Sequence, residues 1–404
     1  MMKLTSFFLA IFVGLPKYLF VISPATVNAA SVNSFQESNQ HPVFLYLPEI
    51  YCRDPGDCTP AGPSAYLTNM AELGFTFPLT PLPADHANLE LVQSDLRFGE
   101  VDTKNAPVYP TIEVAVQGQK GLATEKINAS FAYISYNRSE ELEGKRLYNT
   151  GRGWMKAADV AWIGVLPQFQ GLTFSLTPNN AFGWILTFLN ATPVETKRTP
   201  GYQNSDYTGH LLSEYEVVQV YDETIIDDMS WYLVGPEDWQ PGKIVTWVIP
   251  NSTSPEGVTD DQWIEVNLAD QTIAVYDQRS LVFATVIASG LDPFWTQPGL
   301  FQIYEKHEKI PMQGAFESDR SDAYYLEDVP WTMYFDQARA LHGAYWRTKM
   351  GFPQSHRCVN MVIGDAHWIF DWANLGDWGY VWDPSGKLPP ILIFSLLVVI
   401  KEDV

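Results

Sequence analysis

Positive charge is scarce in this sequence. Its 404 residues carry 25 Lys and Arg against 47 Asp and Glu, a formal net charge of −22. A nucleic-acid binder needs a basic footprint to neutralise phosphates and release their counterions. None is visible, so nucleic acid is set aside. The same acidity argues against docking on anionic lipid headgroups. Cysteine is scarcer still, with only Cys52, Cys58 and Cys358 in the whole chain. Long apolar runs are few. The run near the C-terminus, Ile391 to Ile400, is about ten residues, too short to cross a bilayer as a helix.

Aromatic residues, by contrast, make up 14% of the chain and include 14 Trp. That content favours β-sheet modules and surfaces facing carbohydrate or peptide, although core packing alone would also account for it. The N-terminus reads as an export signal over residues 1–30: Lys3, then apolar Phe7 to Val13 and Tyr18 to Ile22, then the small-residue stretch Val27-Asn28-Ala29. Pro16 and Lys17 interrupt it, and a retained membrane anchor is the alternative. The expectation is an exported protein of the cell envelope, in the periplasm or on the outer wall face. In that compartment Cys52 and Cys58, which bracket a Pro55-Gly56 turn, suit a local disulfide, with two free thiols as the other possibility. Cys358 is then unpaired, and is either a buried inert thiol or a reactive one.

Prolines recur through residues 31–110, which blocks helices and central strands and predicts a linker or stalk. Residues 111–170 alternate apolar and polar positions between Gly and Asn turns and predict a β-module. Residues 195–250 have a similar cadence, with Tyr215 to Asp222, Trp231 to Gly235 and Trp239, and resemble the small SH3-like barrels of bacterial wall proteins. Such modules bind peptide or glycan or serve only as spacers. The stretch Pro250 to Gly257 is a linker by composition. After Asp261, Trp263 to Leu268 and Thr272 to Tyr276 alternate around a turn at Ala269-Asp270 and predict a hairpin. Leu281 to Ala288 and Leu300 to Tyr304 predict further strands, and Asp365 to Ala373 a short helix. The fold class is mainly β. Residues 387–404 form an apolar tail with no functional reading.

The chemistry concentrates in Leu341-His342-Gly343-Ala344-Tyr345-Trp346 and Ser355-His356-Arg357-Cys358-Val359-Asn360. A thiol attacks as thiolate and needs a base or a positive field nearby. Two histidines lie close in sequence to the unpaired cysteine. On an extended strand His356 and Cys358 would share a face, and His342 would arrive from a neighbouring strand end.

These two stretches resemble the active-site signature of the L,D-transpeptidase catalytic domain: His-Gly, a loop, then Ser/Thr-His-Gly-Cys, an apolar residue, and Asn or Arg. The likeness extends over residues 261–386 and includes Thr296-Gln297-Pro298-Gly299-Leu300-Phe301, which departs from the family's Thr-Pro-x-Gly-x-Phe at Gln297. The resemblance implies a β-sandwich with a short helix, preceded by the small β-modules. It implies Cys358 as nucleophile and His342 as base, with Gly343, Ser355, His356, Arg357 and Asn360 supporting them. Cys358 would attack a peptidoglycan stem peptide, release D-alanine and hold the remainder as a thioester. An amine acceptor, on another stem or a wall-linked protein, would then take the acyl group. Water would make the enzyme an L,D-carboxypeptidase. A carbapenem is the expected inhibitor, and no metal or cofactor is implied.

Arg357 stands where the family has Gly, so a wall-binding relative with a degenerate site is the alternative. A residue other than Gly at positive φ costs roughly 1–2 kcal/mol. Its charge is also expected to favour the Cys358 thiolate. A core cysteine, or a zinc set of His342, His356, Cys358 and His367, is the competing reading. Trp346 and Tyr345 either line the donor groove or pack in the core.

Overall fold

Ile264 and Val266 face one side of the strand Trp263–Asn267, while Trp263, Glu265 and Asn267 face the other. The period of two places the first pair in the main core. The computed structural model describes residues 71 and 81–386, except 87–88, 93, 129, 164–169, 188–191, 204–205 and 316–318. The signal segment 1–30, the Cys52/Cys58 pair and the tail 387–404 lie outside the described residues.

Two seven-stranded sheets form a sandwich. The first runs Ala84–His86, Leu172–Phe174, Ser280–Val286, Thr272–Asp277, Trp263–Asn267, Trp378–Trp382, Gly299–Gln302. The second runs Val359–Met361, Arg339–Gly343, Tyr324–Asp336, Phe131–Tyr136, Arg97–Val101, Val160–Trp162, with Glu305–Gly314 also paired to Tyr324–Asp336. Ile264, Val275 and Phe283 of the first sheet meet Met333, Leu341 and Met361 of the second in one buried cluster. The helix Ile363–Trp372 adds Ala366 and Ile369 to it. Asp365, in the helix's first turn, accepts from the Gly171 N–H at 2.9 Å and from the Thr285 hydroxyl. The mainly-β reading, the hairpin and the helix all match what forms.

Residues 84–108 hold three strands where the proline count predicts a linker. Ala84 to Ala106 is free of proline, and Pro107 sits in Ala106–Val108, which among the described residues pairs with Glu125–Ile127 alone. An edge tolerates a missing donor. Within 111–170, Ile112–Gln117 is helical and ends at Gly118 with φ 68°. Phe131–Tyr136 inserts parallel to the start of Tyr324–Asp336, with Phe131 opposite Tyr324. This segment is therefore built into the sheet that carries the active-site motif. The strands of the following segment begin at Ala181, ahead of the predicted 195. Ala181–Ile185 pairs with both Val217–Val220 and Val245–Val248. Its Phe182 and Trp184 pack with Trp263 and Tyr276 on the outer face of the first sheet.

Candidate active site

His342 owes its position to strand register. Its strand, Arg339–Gly343, lies parallel to Val359–Met361 and sets His342 opposite Asn360. Residues opposite each other point to the same face, and the two side chains meet there: Asn360 Nδ2 donates to His342 Nε2 at 3.0 Å. His342 Nδ1 donates to the Gly343 carbonyl at 3.0 Å, which fixes the proton on Nδ1 and leaves the lone pair on Nε2. The ring is 1% exposed. Burial pushes its pKa down to about 4, and the Arg347 guanidinium adds to the shift. The imidazole is therefore neutral at physiological pH. Gly343 is needed for space: a Cβ there would stand 3.0 Å from Pro330 Cγ and 3.3 Å from Ile363 Cα.

Cys358 closes a bend. Ser355 hangs from the Ser289 carbonyl through its N–H at 2.9 Å, and its hydroxyl donates to the Cys358 carbonyl. Thr296 Oγ1 accepts from the Gly290 N–H at 2.9 Å and donates to the Arg357 carbonyl at 2.9 Å. That bond gives the Thr of the Thr296–Phe301 turn a physical task. Gly290 permits the approach, because a Cβ there would lie 2.1 Å from the Phe294 carbonyl oxygen and 2.9 Å from Arg357 N. Arg357 sits at φ 80°, so the backbone has the left-handed conformation that glycine adopts freely, and the arginine bears the strain.

One expectation about this bend needs correction. His356 and Cys358 do not lie along one extended strand, because residues 356–358 bend and only Val359 enters the sheet. His356 is exposed and leans on Phe294, with ring centroids 4.7 Å apart. Arg339, held by Asp336, is a positive charge that favours the Cys358 thiolate. Burial outweighs Arg339 and the Ala340 backbone, so the Cys358 thiol is pushed up. Its Sγ lies 3.9 Å from the Ala338 carbonyl oxygen.

His342, Ser355, His356, Cys358 and Asn360 line one cleft of about 400 Å³. Tyr324, Met312 and Asp322 form further wall, and Ser130 and Phe131 reach it from the inserted strand. Trp346 lines the cleft, its ring 5.7 Å from that of His342. Tyr345 belongs to the core, stacked on Phe98 at 3.8 Å and donating to the Glu327 carbonyl at 2.6 Å. His367 is on the helix, stacked on Trp331 at 3.6 Å with Nδ1 3.1 Å from the Leu91 carbonyl.

Residues 261–387 match the family model of the YkuD L,D-transpeptidase catalytic domain. No curated protein matches the chain. Among solved structures, the chain resembles an L,D-transpeptidase from Stackebrandtia nassauensis at 22% identity, over 30% of this chain and 55% of that one, with a TM-score of 0.25. It thus spans about half the length of that relative. It resembles the catalytic domain of the E. faecium L,D-transpeptidase at 25% identity, over 31% of this chain and 100% of that one, with a TM-score of 0.28. The same domain acylated by ertapenem matches at 24% identity over 30% and 96%, with a TM-score of 0.27.

Arg347 is the site residue that sequence reading missed. Its guanidinium donates from Nε to Asn360 Oδ1 at 3.4 Å, from Nη1 to Gln354 Oε1 at 3.1 Å, and from Nη2 to the Gln354 carbonyl. It thereby orients the Asn360 amide toward His342 and ties the loop before Ser355. Only its position five residues after His342 hinted at a role. Phe131 and Ser130 left no signal at all, being far from the motif in sequence.

Proposed function

We propose that the YkuD domain is a cysteine acyl transferase acting on peptidoglycan stem peptides. The observation that carries this reading is a thiol and a neutral imidazole on one cleft, inside the segment that matches the family. Cys358 gives its proton to His342 Nε2 as the sulfur attacks the donor carbonyl. Nε2 must first release the Asn360 amide, since one lone pair serves one donor. The oxyanion forms beside the backbone N–H of Cys358. Collapse breaks the bond to D-alanine, whose amine takes the proton from His342. An acceptor amine then attacks the thioester, loses its proton to His342, and expels the sulfur, which is reprotonated. Water in place of the amine gives the carboxypeptidase outcome. The reading includes export to the envelope, supported by the apolar leader and the small residues near Ala29.

A second reading has two observations in its favour. Asn360 occupies Nε2, and the thiol lies by the Ala338 carbonyl, as a non-catalytic wall-binding relative would also have them. Ertapenem, which acylates the E. faecium domain, separates the two readings. Intact-mass analysis should show one drug mass on the full chain and none on Cys358→Ala. A disaccharide tetrapeptide should lose D-alanine in the presence of the first protein only. Uptake of the drug by Cys358→Ala, or failure of the intact chain to release D-alanine, would sink the proposal.

A further inference from the structure

A second cleft of about 430 Å³ lies on the outer face of the first sheet. Its size is within the range of small-ligand sites. Tyr380 and Trp382, two apart on the strand Trp378–Trp382, present their rings to it. The ring centroids are 6.3 Å apart and the ring planes 11° from parallel. Register sets Glu265 beside Tyr380. Asp270 follows in the next turn, where its carboxylate takes the Asn267 amide at 2.8 Å. Trp247 also lines the cleft, and the chain after it is tied to the first sheet by Asn251 N–H donating to the Tyr276 hydroxyl at 3.0 Å.

We propose that this cleft binds an uncharged pyranose segment of a glycan chain. The C–H faces of a pyranose ring are apolar and slightly positive and stack on the negative face of an aromatic ring. Two aromatic rings lining one cleft give a pyranose apolar faces to stack on. Sugar hydroxyls both donate and accept, and the Glu265 and Asp270 carboxyls that line the same cleft can do the same. Burial pushes Glu265 up to about 7, against the opposing pull of the Trp263 and Trp382 indoles, and Asp270 up to about 6. Near neutral pH each carboxyl therefore spends part of its time protonated and able to donate. An anionic sugar would meet carboxylate repulsion in the same place. The site shares no residue with the Cys358 cleft and does not depend on the catalytic reading.

The test is calorimetric titration of the full chain with the tetramer of N-acetylglucosamine and, separately, with cellotetraose. Saturable binding of either is expected, and the preferred one identifies the sugar type. Trp382→Ala should weaken it by about tenfold or more, the scale of losing a stacking partner. Tyr380→Ala should weaken it less. Ertapenem uptake by Cys358 should be unchanged in both, and melting curves confirm that both fold. Four results would overturn the proposal: no binding of either saccharide, binding indifferent to both substitutions, stronger and salt-sensitive binding of a lysine-rich peptide, or binding that emerges only when residues 388–404 are removed. The last would give the cleft to the chain's own apolar tail.

Discussion

His342 and Cys358 reach the same cleft from backbones of opposite character. His342 is on a strand hydrogen-bonded on both sides, its ring is buried, and Gly343 and Asn360 hold both of its nitrogens. Cys358 ends a bend that runs through a left-handed Arg357 and is closed by single hydroxyl bonds from Ser355 and Thr296. His356, equally close to Cys358 in sequence, shares the character of the bend and is exposed. A group that accepts a proton works best with its lone pair held in one direction beforehand, which a strand in a packed core provides. A nucleophile must approach a substrate and leave it again, which a bend permits. The contrast supports the proposed base role of His342.

The sharpest way to break this comparison is to remove each histidine in turn. His342→Ala should lower the rate of acylation by ertapenem by about 10²–10⁴, the usual worth of a general base. His356→Ala should cost about tenfold or less, because it loses only a stacked ring that shapes the bend. Single-turnover mass spectrometry reads both. If His356→Ala proved the more damaging, the base would belong to the bend and the strand would be scaffold.

A smaller effect sharpens the protonation states. With His342 held near 4 and the thiol pushed up, the resting pair is neutral imidazole and neutral thiol. The sign is definite: thiolate is depleted at neutral pH and grows only as pH rises past the ordinary thiol value of about 8.5. Iodoacetamide alkylation of Cys358 should therefore increase through that region without a plateau between about pH 6 and 8. A plateau there would mean a standing thiolate–imidazolium pair. Arg339→Ala should raise the midpoint further, since Arg339 is the charge that pulls the thiol down.

Much of this was legible in the sequence where the signal is local. The hairpin from Trp263 to Asp277 and the helix around Trp368 announce themselves by periodicity. The two active-site stretches do so by residue type and spacing. What stayed hidden is non-local. Phe131–Tyr136 enters the catalytic sheet beside a strand nearly two hundred residues later, and its alternation suits a free-standing module equally well. Arg347 reads as one more surface arginine until burial turns it toward Asn360 and Gln354. The proline count misled over residues 84–108 because composition averages over a segment, whereas a strand needs only a short proline-free run or an edge.

The smallest expected effect belongs to Arg357, and it tests whether the bend is merely strained. At φ 80° a residue with a Cβ costs roughly 1–2 kcal/mol, while glycine gives up about 0.5–1 kcal/mol of that advantage through unfolded-state entropy. Arg357→Gly should therefore stabilise the protein by up to about 1 kcal/mol, a rise of a few degrees in melting temperature at most. It should also relieve repulsion on Arg339, whose pKa is lowered first by burial and then by the Arg357 charge. The Arg357 side chain is exposed, where solvent screens its charge, while the half-buried Arg339 favours the thiolate. The alkylation profile of Arg357→Gly should then overlay that of the parent, with ertapenem uptake equal or faster. A midpoint moved upward by about one unit, roughly 1.4 kcal/mol at the thiol, would show that Arg357 supports the thiolate after all. A lower melting temperature would show that its side chain stabilises the bend. In either case this account of the strain would be abandoned.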